Sequence, residues 1–457
     1  MMRNLAELAR VAGGTLHGAD AAFGAVLTDS RTLEGGALFV ALRGERFDGH
    51  QFVPEALARG AAGALVEREV AVALPQVLVR DALAGLTAFA AAWRRDFAGK
   101  VVGITGSNGK TTVKEMIGSI LGCEGPTLVT RGNLNNHIGV PLTLCRLEAA
   151  HRFAVIEMGA NHEHEIAQLA AIGRPDVGLV TNAGPAHLEG FGGIEGVARG
   201  KGEMFQSLGP EGTAVINADD RFAALWHGFA GGAGRVLTFG LRERADFTAR
   251  DVRSRPTGDG FVTEFELVAP PGRRAVTLAL AGEHNVMNAL AAAAAAYGAG
   301  AGLDAIAEGL GRMRAVAGRL EAKQLPGGAR LIDDSYNANP GSVRAGLRAL
   351  AGLPGPHWLV LGEMRELGAG SPELHAEVGA FARQCGIARL LAVGDDARHA
   401  VESFGAGSTW FANVEELIAV LRAELPAGAT VLVKGSRANR LERVAAALGA
   451  AVAAGGH

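Results

Sequence analysis

Cysteine is scarce in this chain: Cys123, Cys145 and Cys385 are the only three in 457 residues, far apart and in no metal-ligand or redox spacing. That excludes a disulfide-stapled scaffold or a zinc ribbon and implies a reduced, cytoplasmic protein. Excess charge is lacking too. A net charge of -3, with no basic run carrying interleaved aromatics, removes the electrostatic footprint of a nucleic-acid binder. No apolar run is long enough to cross a bilayer, and the alanine-rich stretch from Ala289 to Ala296 ends at Tyr297-Gly298 as a packed helix would. A signal-peptide pattern is also missing from the first residues. Asn4 with Glu7 three places on reads as a capping box before an amphipathic helix through Leu5, Leu8 and Val11. Internal repeats and low-complexity segments are absent. What remains, 48% hydrophobic and 20% charged residues, is a globular composition with the length of about three domains.

The most informative stretch is VVGITGSNGKTT, from Val101 to Thr112. Val101, Val102 and Ile104 form the apolar run of a buried parallel strand. Thr105, Gly106, Ser107, Asn108 and Gly109 follow as a loop, and Lys110-Thr111-Thr112 open a helical run through Met116, Ile117 and Ile120. Strand, glycine loop, Gly-Lys-Thr and helix is the setting of a phosphate-binding loop. Its backbone N–H groups turn inward, the helix N-terminus adds partial positive charge, Lys110 neutralises phosphate oxygens and Thr111 offers a hydroxyl to Mg²⁺. The pattern departs from G-x-x-x-x-G-K-[ST] at its first glycine: position 104 is Ile, and the glycine falls at 106. Nucleotide binding through a variant loop is the expectation, against the blander reading of a glycine-rich turn with an incidental lysine.

Alternating apolar runs and helical stretches divide the chain into residues 1–98, 99–318 and 319–457. The first unit has short strands at Val26-Leu27, Leu38–Val40, Ala64–Val66 and Val77–Val79. The loop Thr28-Asp29-Ser30-Arg31 offers either a hydroxyl and a guanidinium to a phosphate or an Asx-turn with a solvated arginine. A second polar loop spans Gly44–His50, and the run Trp93–Gly99 reads as a helix end and linker. In the second unit, Val155-Ile156 runs into Glu157, which places a carboxylate at a strand end where it suits Mg²⁺. Val177–Val180 leads to a loop with His187, a site candidate because it follows a strand of the same sheet. On the residues alone Lys201 is a solvated helix lysine. Segments at Val236–Phe239, Phe261–Val268 and Ala275–Leu280 read as an antiparallel addition, and Asn285 and Asn288 share one helix face. Strands at Leu331-Ile332, Trp358–Leu361, Leu390–Val393 and Val431–Val433 predict a second open parallel sheet. Polar loops follow these strands at DDSYNANP, GEMRELG, Gly394–Asp396 and Lys434–Arg437.

TDSR, LFVALRGERFDGHQF, GITGSNGKTT, GNLNNHIGVPLTL, IEMGANHEHEI, NAGPAHLEGFG, KGEMF, NADD, GEHNVMNALAA, GRLE, DDSYNANPGS, LGEMRELG and VLVKGSR occur in that order. On these motifs the chain resembles the Mur ligase family over essentially its whole length, and the glycine at 106 is that family's own form of the loop. The resemblance implies an α/β protein of three domains. These are a smaller N-terminal α/β domain for the UDP end, a central P-loop ATPase with a mostly parallel sheet, and a C-terminal Rossmann-like domain that receives the incoming amine. It implies a ligase that uses ATP to join D-Ala-D-Ala to UDP-N-acetylmuramoyl-tripeptide, a monomer acting on small molecules without nucleic acid or membrane insertion. The form DDSYNANP, with no Asp-Asn-Pro-Arg, separates this branch from the one that adds lysine or meso-diaminopimelate.

The resemblance also assigns residues. Lys110 would act on the transferred phosphoryl group. Thr111 and Glu157 would hold Mg²⁺, and His187 and Lys201, the latter as a CO₂-derived carbamate, would support a second metal. Asn285 and Asn288 match contacts to the adenine side of ATP, and Arg319 and Asp334 match residues that reach the nucleotide from the third domain. Ser30 and Arg31 match the UDP loop. Asn135, Asn136 and His137 would face the muramoyl-peptide, and Tyr336, Asn337 and Asn339 the dipeptide.

Overall fold

A computed structural model describes residues 3–45, 47–257 and 260–449; Arg46, in the second polar loop, lies outside them. The architecture is mixed α/β, as expected. At its centre a six-stranded parallel sheet runs Arg235–Phe239, Thr213–Asn217, Val177–Val180, Lys100–Thr105, Phe153–Glu157, Thr127–Val129 from one edge to the other. The strand Lys100–Thr105 is buried from Val101 onward because both faces are covered. Val102 and Ile104 pack towards helices Lys110–Glu124 and Glu283–Gly298, while Val101 packs with Met204 and Phe205 on the opposite side. The phosphate loop, Glu157 and Thr181 stand at the ends of three adjacent strands, so one sheet end gathers them.

A five-stranded sheet precedes it, in the order Thr15–His17, Gln76–Leu78, Gly63–Val66, Leu38–Val40, Val26–Leu27. Its core is continuous with that of the central sheet through helix Ala82–Arg95. The expected linker at Trp93–Gly99 is therefore corrected. Trp93 and Arg94 are buried, Trp93 Nε1 donates to Leu147 O at 2.9 Å, and Arg94 reaches Gly173 O, Arg174 O and Asp176. Arg3 lies over the Trp93 ring and donates to Leu147 O, closing the same junction.

The stretch read as one antiparallel addition divides. Arg235–Phe239 joins the central sheet in parallel, whereas Thr248–Thr257, Gly260–Ala269 and Gly272–Leu278 form a separate antiparallel sheet. The last sheet runs Glu321–Gln324, Arg330–Asp334, Thr430–Lys434, His357–Gly362, Arg389–Val393, Ser408–Phe411, parallel except for its first strand.

Helix Ile194–Gln206 carries Lys201 and rests on Trp226, which is fully buried, packs edge-on to Phe205 and donates from Nε1 to Ala198 O at 2.9 Å. Trp226→Ala should cost about 3–5 kcal/mol by leaving a cavity beneath the helix. Chemical denaturation would show this as an earlier transition; an unchanged midpoint would mean the helix does not depend on this contact.

Candidate active site

The strand Lys100–Thr105 ends in a tight turn. Gly106 has φ 140° and Gly109 φ 82°. A Cβ at 106 would lie 1.9 Å from Thr181 Oγ1, and one at 109 would lie 2.5 Å from Asn288 Oδ1. The displaced glycine thus has a local cause. Position 104 is still strand, and the neighbouring strand's end presses on 106, where only glycine fits. The loop is braced by that neighbour. Asn182 O accepts from Ser107 N, Asn182 Oδ1 from Asn108 N, and Asn108 O from Thr181 Oγ1 at 2.6 Å. Lys110 Nζ donates to Gly106 O at 2.6 Å. Burial pushes its pKa down, Arg319 adds to this and Glu157 opposes it. Thr105 ends the strand outside the cleft, its buried Oγ1 without a partner.

Beside the loop, Glu157 is buried and surrounded by donors. Thr111 Oγ1 gives it a hydrogen bond at 3.0 Å and Asn135 Nδ2 one at 2.8 Å, while its N–H donates to Thr130 Oγ1 at 3.0 Å. Lys114 Nζ, fully buried, stands 3.8 Å from Glu157 Oε2 and 3.0 Å from Glu115. Lys114 escaped the sequence reading, although its position one turn beyond Lys110 on the same helix face was a usable signal.

The reading of Lys201 as a solvated lysine is overturned. It is 1% exposed, and Nζ donates to Ala160 O at 2.9 Å. Burial drives its pKa well below the ordinary value, the Lys110 charge adds to this, and Glu165 and Glu203 oppose it. Lys201 lies behind the cleft wall that Ala160 and Glu165 line. His187 lines the cleft at φ 55°, with Nδ1 2.5 Å from Glu366 Oε2 but without hydrogen-bond geometry. Burial lowers its pKa, and the charges of Lys110 and Lys201 act in the same direction against Glu366. Among the described residues no group of three or more His, Cys, Asp or Glu side chains is arranged to hold a metal. Thr111 and Glu157 nonetheless bring a hydroxyl and a carboxylate oxygen together beside the phosphate loop.

These elements wall a cleft of about 790 Å³. Ser107, Asn108, Gly109, Lys110, Thr111, Thr112, Glu157 and His187 line one part, with Asn135, Asn136 and His137 beside them. Asn285 and Asn288 close another part, joined by Asn288 Nδ2 donating to Asn285 Oδ1 at 3.1 Å. The third unit contributes Arg319, Asp334, Tyr336, Asn337 and Asn339, with Arg319 4.2 Å above the Tyr336 ring. Asn339 caps helix Pro340–Ala351 and donates from Nδ2 to Asn108 Oδ1 at 2.7 Å, bridging the last sheet to the phosphate loop. Asn136 Oδ1 is occupied by the N–H groups of Ile138 and Gly139. Ser30 and Arg31 lie outside the cleft. Ser30 Oγ donates to Glu55, and Arg31 folds back onto Asp29 in the turn that was the alternative reading. Missed by the sequence reading were Lys434 and His284, which line the cleft, and Glu366 against His187. Lys434 and Glu366 stood in noted polar loops, but no sequence spacing brings Lys434 to Asp334 or Glu366 to His187 in another unit.

Comparison with known proteins bears on this arrangement. Residues 104–296 match the Mur ligase middle domain, residues 318–437 the Mur ligase, glutamate ligase domain, and residues 23–94 the Mur ligase family, catalytic domain. The chain is 45% identical to the Escherichia coli UDP-N-acetylmuramoyl-tripeptide–D-alanyl-D-alanine ligase, over 97% of this chain and 98% of that one. It superposes on a crystal structure of MurF from Acinetobacter baumannii with TM-score 0.91 at 37% identity, covering 98% and 99% of the two chains. A MurF ligase from Thermotoga maritima in complex with ADP aligns with TM-score 0.80 at 29% identity over 93% and 96%.

Proposed function

The chain belongs to the Mur ligase family, and from that premise we propose that it joins D-alanyl-D-alanine to UDP-N-acetylmuramoyl-tripeptide with ATP, making the pentapeptide precursor of peptidoglycan. The observation that carries this is the 45% identity with such a ligase along nearly the full length of both chains. The cleft agrees, since it brings a phosphate loop, a buried carboxylate and the third unit's polar loop to one place. Three units at 1–98, 99–318 and 319–457 accord with the three principal sheets and with the matched segments. No helix among the described residues is long and apolar enough to cross a membrane. The ATP requirement and the free cysteines support a cytoplasmic setting.

Making an amide from a carboxylate needs a leaving group, which the γ-phosphate supplies as an acyl phosphate; a neutral amine then attacks and phosphate departs. Anions must approach one another, so positive charge is the main requirement. Lys110 supplies it from the loop. Thr111 and Glu157, 3.0 Å apart, are oxygen donors suited to Mg²⁺, which when bound neutralises phosphate oxygens. Asn285 and Asn288 take the adenine side, and Arg319 and Asp334 reach the nucleotide from the third unit. Asn135, Asn136 and His137 face the muramoyl-peptide, Tyr336 and Asn337 the dipeptide, and Ser30 and Arg31 the UDP end. Asn339 is better assigned to holding the third unit on the phosphate loop, because its amide is already used there.

Lys201 suits carbamate formation. Its burial favours the neutral amine, which adds to CO₂ and releases a proton. The carbamate nitrogen keeps one N–H, so the bond to Ala160 O is compatible with the modification. With His187 it would support a second metal.

Phosphate release in the presence of UDP-N-acetylmuramoyl-tripeptide tests the reaction. D-Ala-D-Ala should stimulate it, while lysine and diaminopimelate should not. Turnover of the dipeptide nucleotide with diaminopimelate would replace this reading with the neighbouring branch of the family.

A further inference from the structure

Asp334 and Lys434 end the adjacent parallel strands Arg330–Asp334 and Thr430–Lys434, and the register places them side by side. Lys434 is only 2% exposed. Its Nζ lies 2.6 Å from Asp334 Oδ2 and donates to Asn337 O at 3.0 Å. One ammonium therefore ties the strand end to the loop three residues further on. Both strand-end residues line the nucleotide cleft, as does His284 from the first turn of helix Glu283–Gly298 in the central unit. His284 Nε2 is buried without a hydrogen-bond partner. Burial and the Lys434 charge push its pKa down to about 4, so it adds no charge to this corner.

A carboxylate in such a position is not stable as an anion by itself. Burial raises the Asp334 pKa, and the forces that oppose this are, in order, the Lys434 charge and hydrogen bond, the Arg319 charge and the Leu320 N–H. A protonated aspartate would turn one acceptor oxygen into a donor and would present the wrong face to a ligand's N–H or O–H groups. A carboxylate held by an ammonium is oriented and keeps its remaining lone pairs for the ligand.

We propose that Lys434 is a positioning residue for nucleotide binding, fixing the Asp334 carboxylate and the Asn337 loop so that Asp334 accepts hydrogen bonds from the bound nucleotide. The inference rests on the reading of Asp334 as a nucleotide contact, and it adds a residue that acts through Asp334 without touching the substrate. Of its two bonds the shorter goes to the Asp334 carboxylate and the longer to a backbone carbonyl at Asn337, so losing it should be felt at the nucleotide before the dipeptide.

Steady-state kinetics of the full chain separate the possibilities. Lys434→Met should raise KM for ATP about tenfold or more, as loss of a charged hydrogen bond does, with KM for D-Ala-D-Ala changed much less. Asp334→Asn should raise KM for ATP comparably, and the double variant should be little worse than either single one, because both remove the same interaction. Lys434→Arg, which keeps the cation, should recover part of the lost ATP affinity; it and Lys434→Gln serve if Lys434→Met proves unfolded by its thermal transition. Should Asp334→Asn leave KM for ATP unchanged, the nucleotide reading of Asp334 fails and the proposal falls with it. A raised KM in Asp334→Asn with an unaffected Lys434→Met, or multiplying effects in the double variant, would overturn the role of Lys434 alone.

Discussion

Lys110→Ala should slow phosphate release by about 10²-fold or more, the loss typical of removing one electrostatic contact to a transferring group. Lys110 begins the helix that follows the glycine turn, and its Nζ rests on the loop's own Gly106 carbonyl. That contact holds the ammonium beside the N–H groups that would receive phosphate, so little reorganisation is needed when the nucleotide enters. Burial and Arg319 disfavour the charged form, with Glu157 as the main opposing charge. Phosphate oxygens would add to that opposition, and the cation should therefore be strongest with ATP bound. The loss should fall on kcat more than on ADP affinity, since backbone N–H groups remain to hold the diphosphate. Quenched-flow or coupled phosphate assays, with ADP binding measured by calorimetry, would show the split. Near wild-type phosphate release would remove the loop from the catalytic apparatus.

Lys201 carries the second large effect. An unmodified lysine near a metal and the γ-phosphate would present the wrong sign of charge, whereas a carbamate presents two oxygens of the right one. The free amine has an ordinary pKa of about 10.4, yet here burial, reinforced by the Lys110 charge, shifts it well down, which raises the neutral fraction able to take up CO₂. Lys201→Ala should lose about 10²-fold or more of turnover, with partial recovery on adding formate or acetate as a detached carboxylate. Lys201→Arg should be equally inactive, because a guanidinium keeps the charge and forms no carbamate. Activity assays with and without added carboxylate, together with mass spectrometry or ¹³CO₂ NMR of the wild-type chain, would decide it. An active Lys201→Arg variant would make the lysine a packing residue that bridges to Ala160 O.

What the sequence determined by itself was everything local in origin. The strand, glycine turn and helix around Lys110 follow from apolar run, loop and Gly-Lys-Thr in order, and Glu157 at the end of its strand follows from Val155-Ile156. The carboxyl ends of parallel strands marked the loops that line the cleft. Tertiary structure decided what depends on neighbours distant in sequence. Lys201 reads as solvated until helix Ile194–Gln206 is packed against Ala160 and Trp226, because burial is a property of what covers a residue. The Trp93–Gly99 run reads as a linker until Leu147 and Asp176 meet it. Asn339 reads as a ligand residue until Asn108, 231 positions away, takes its amide. Lys434 and Asp334 stand 100 positions apart, and only strand register brings them together, since hydrogen-bond pairing in a sheet sets lateral neighbours that no periodicity along the chain records.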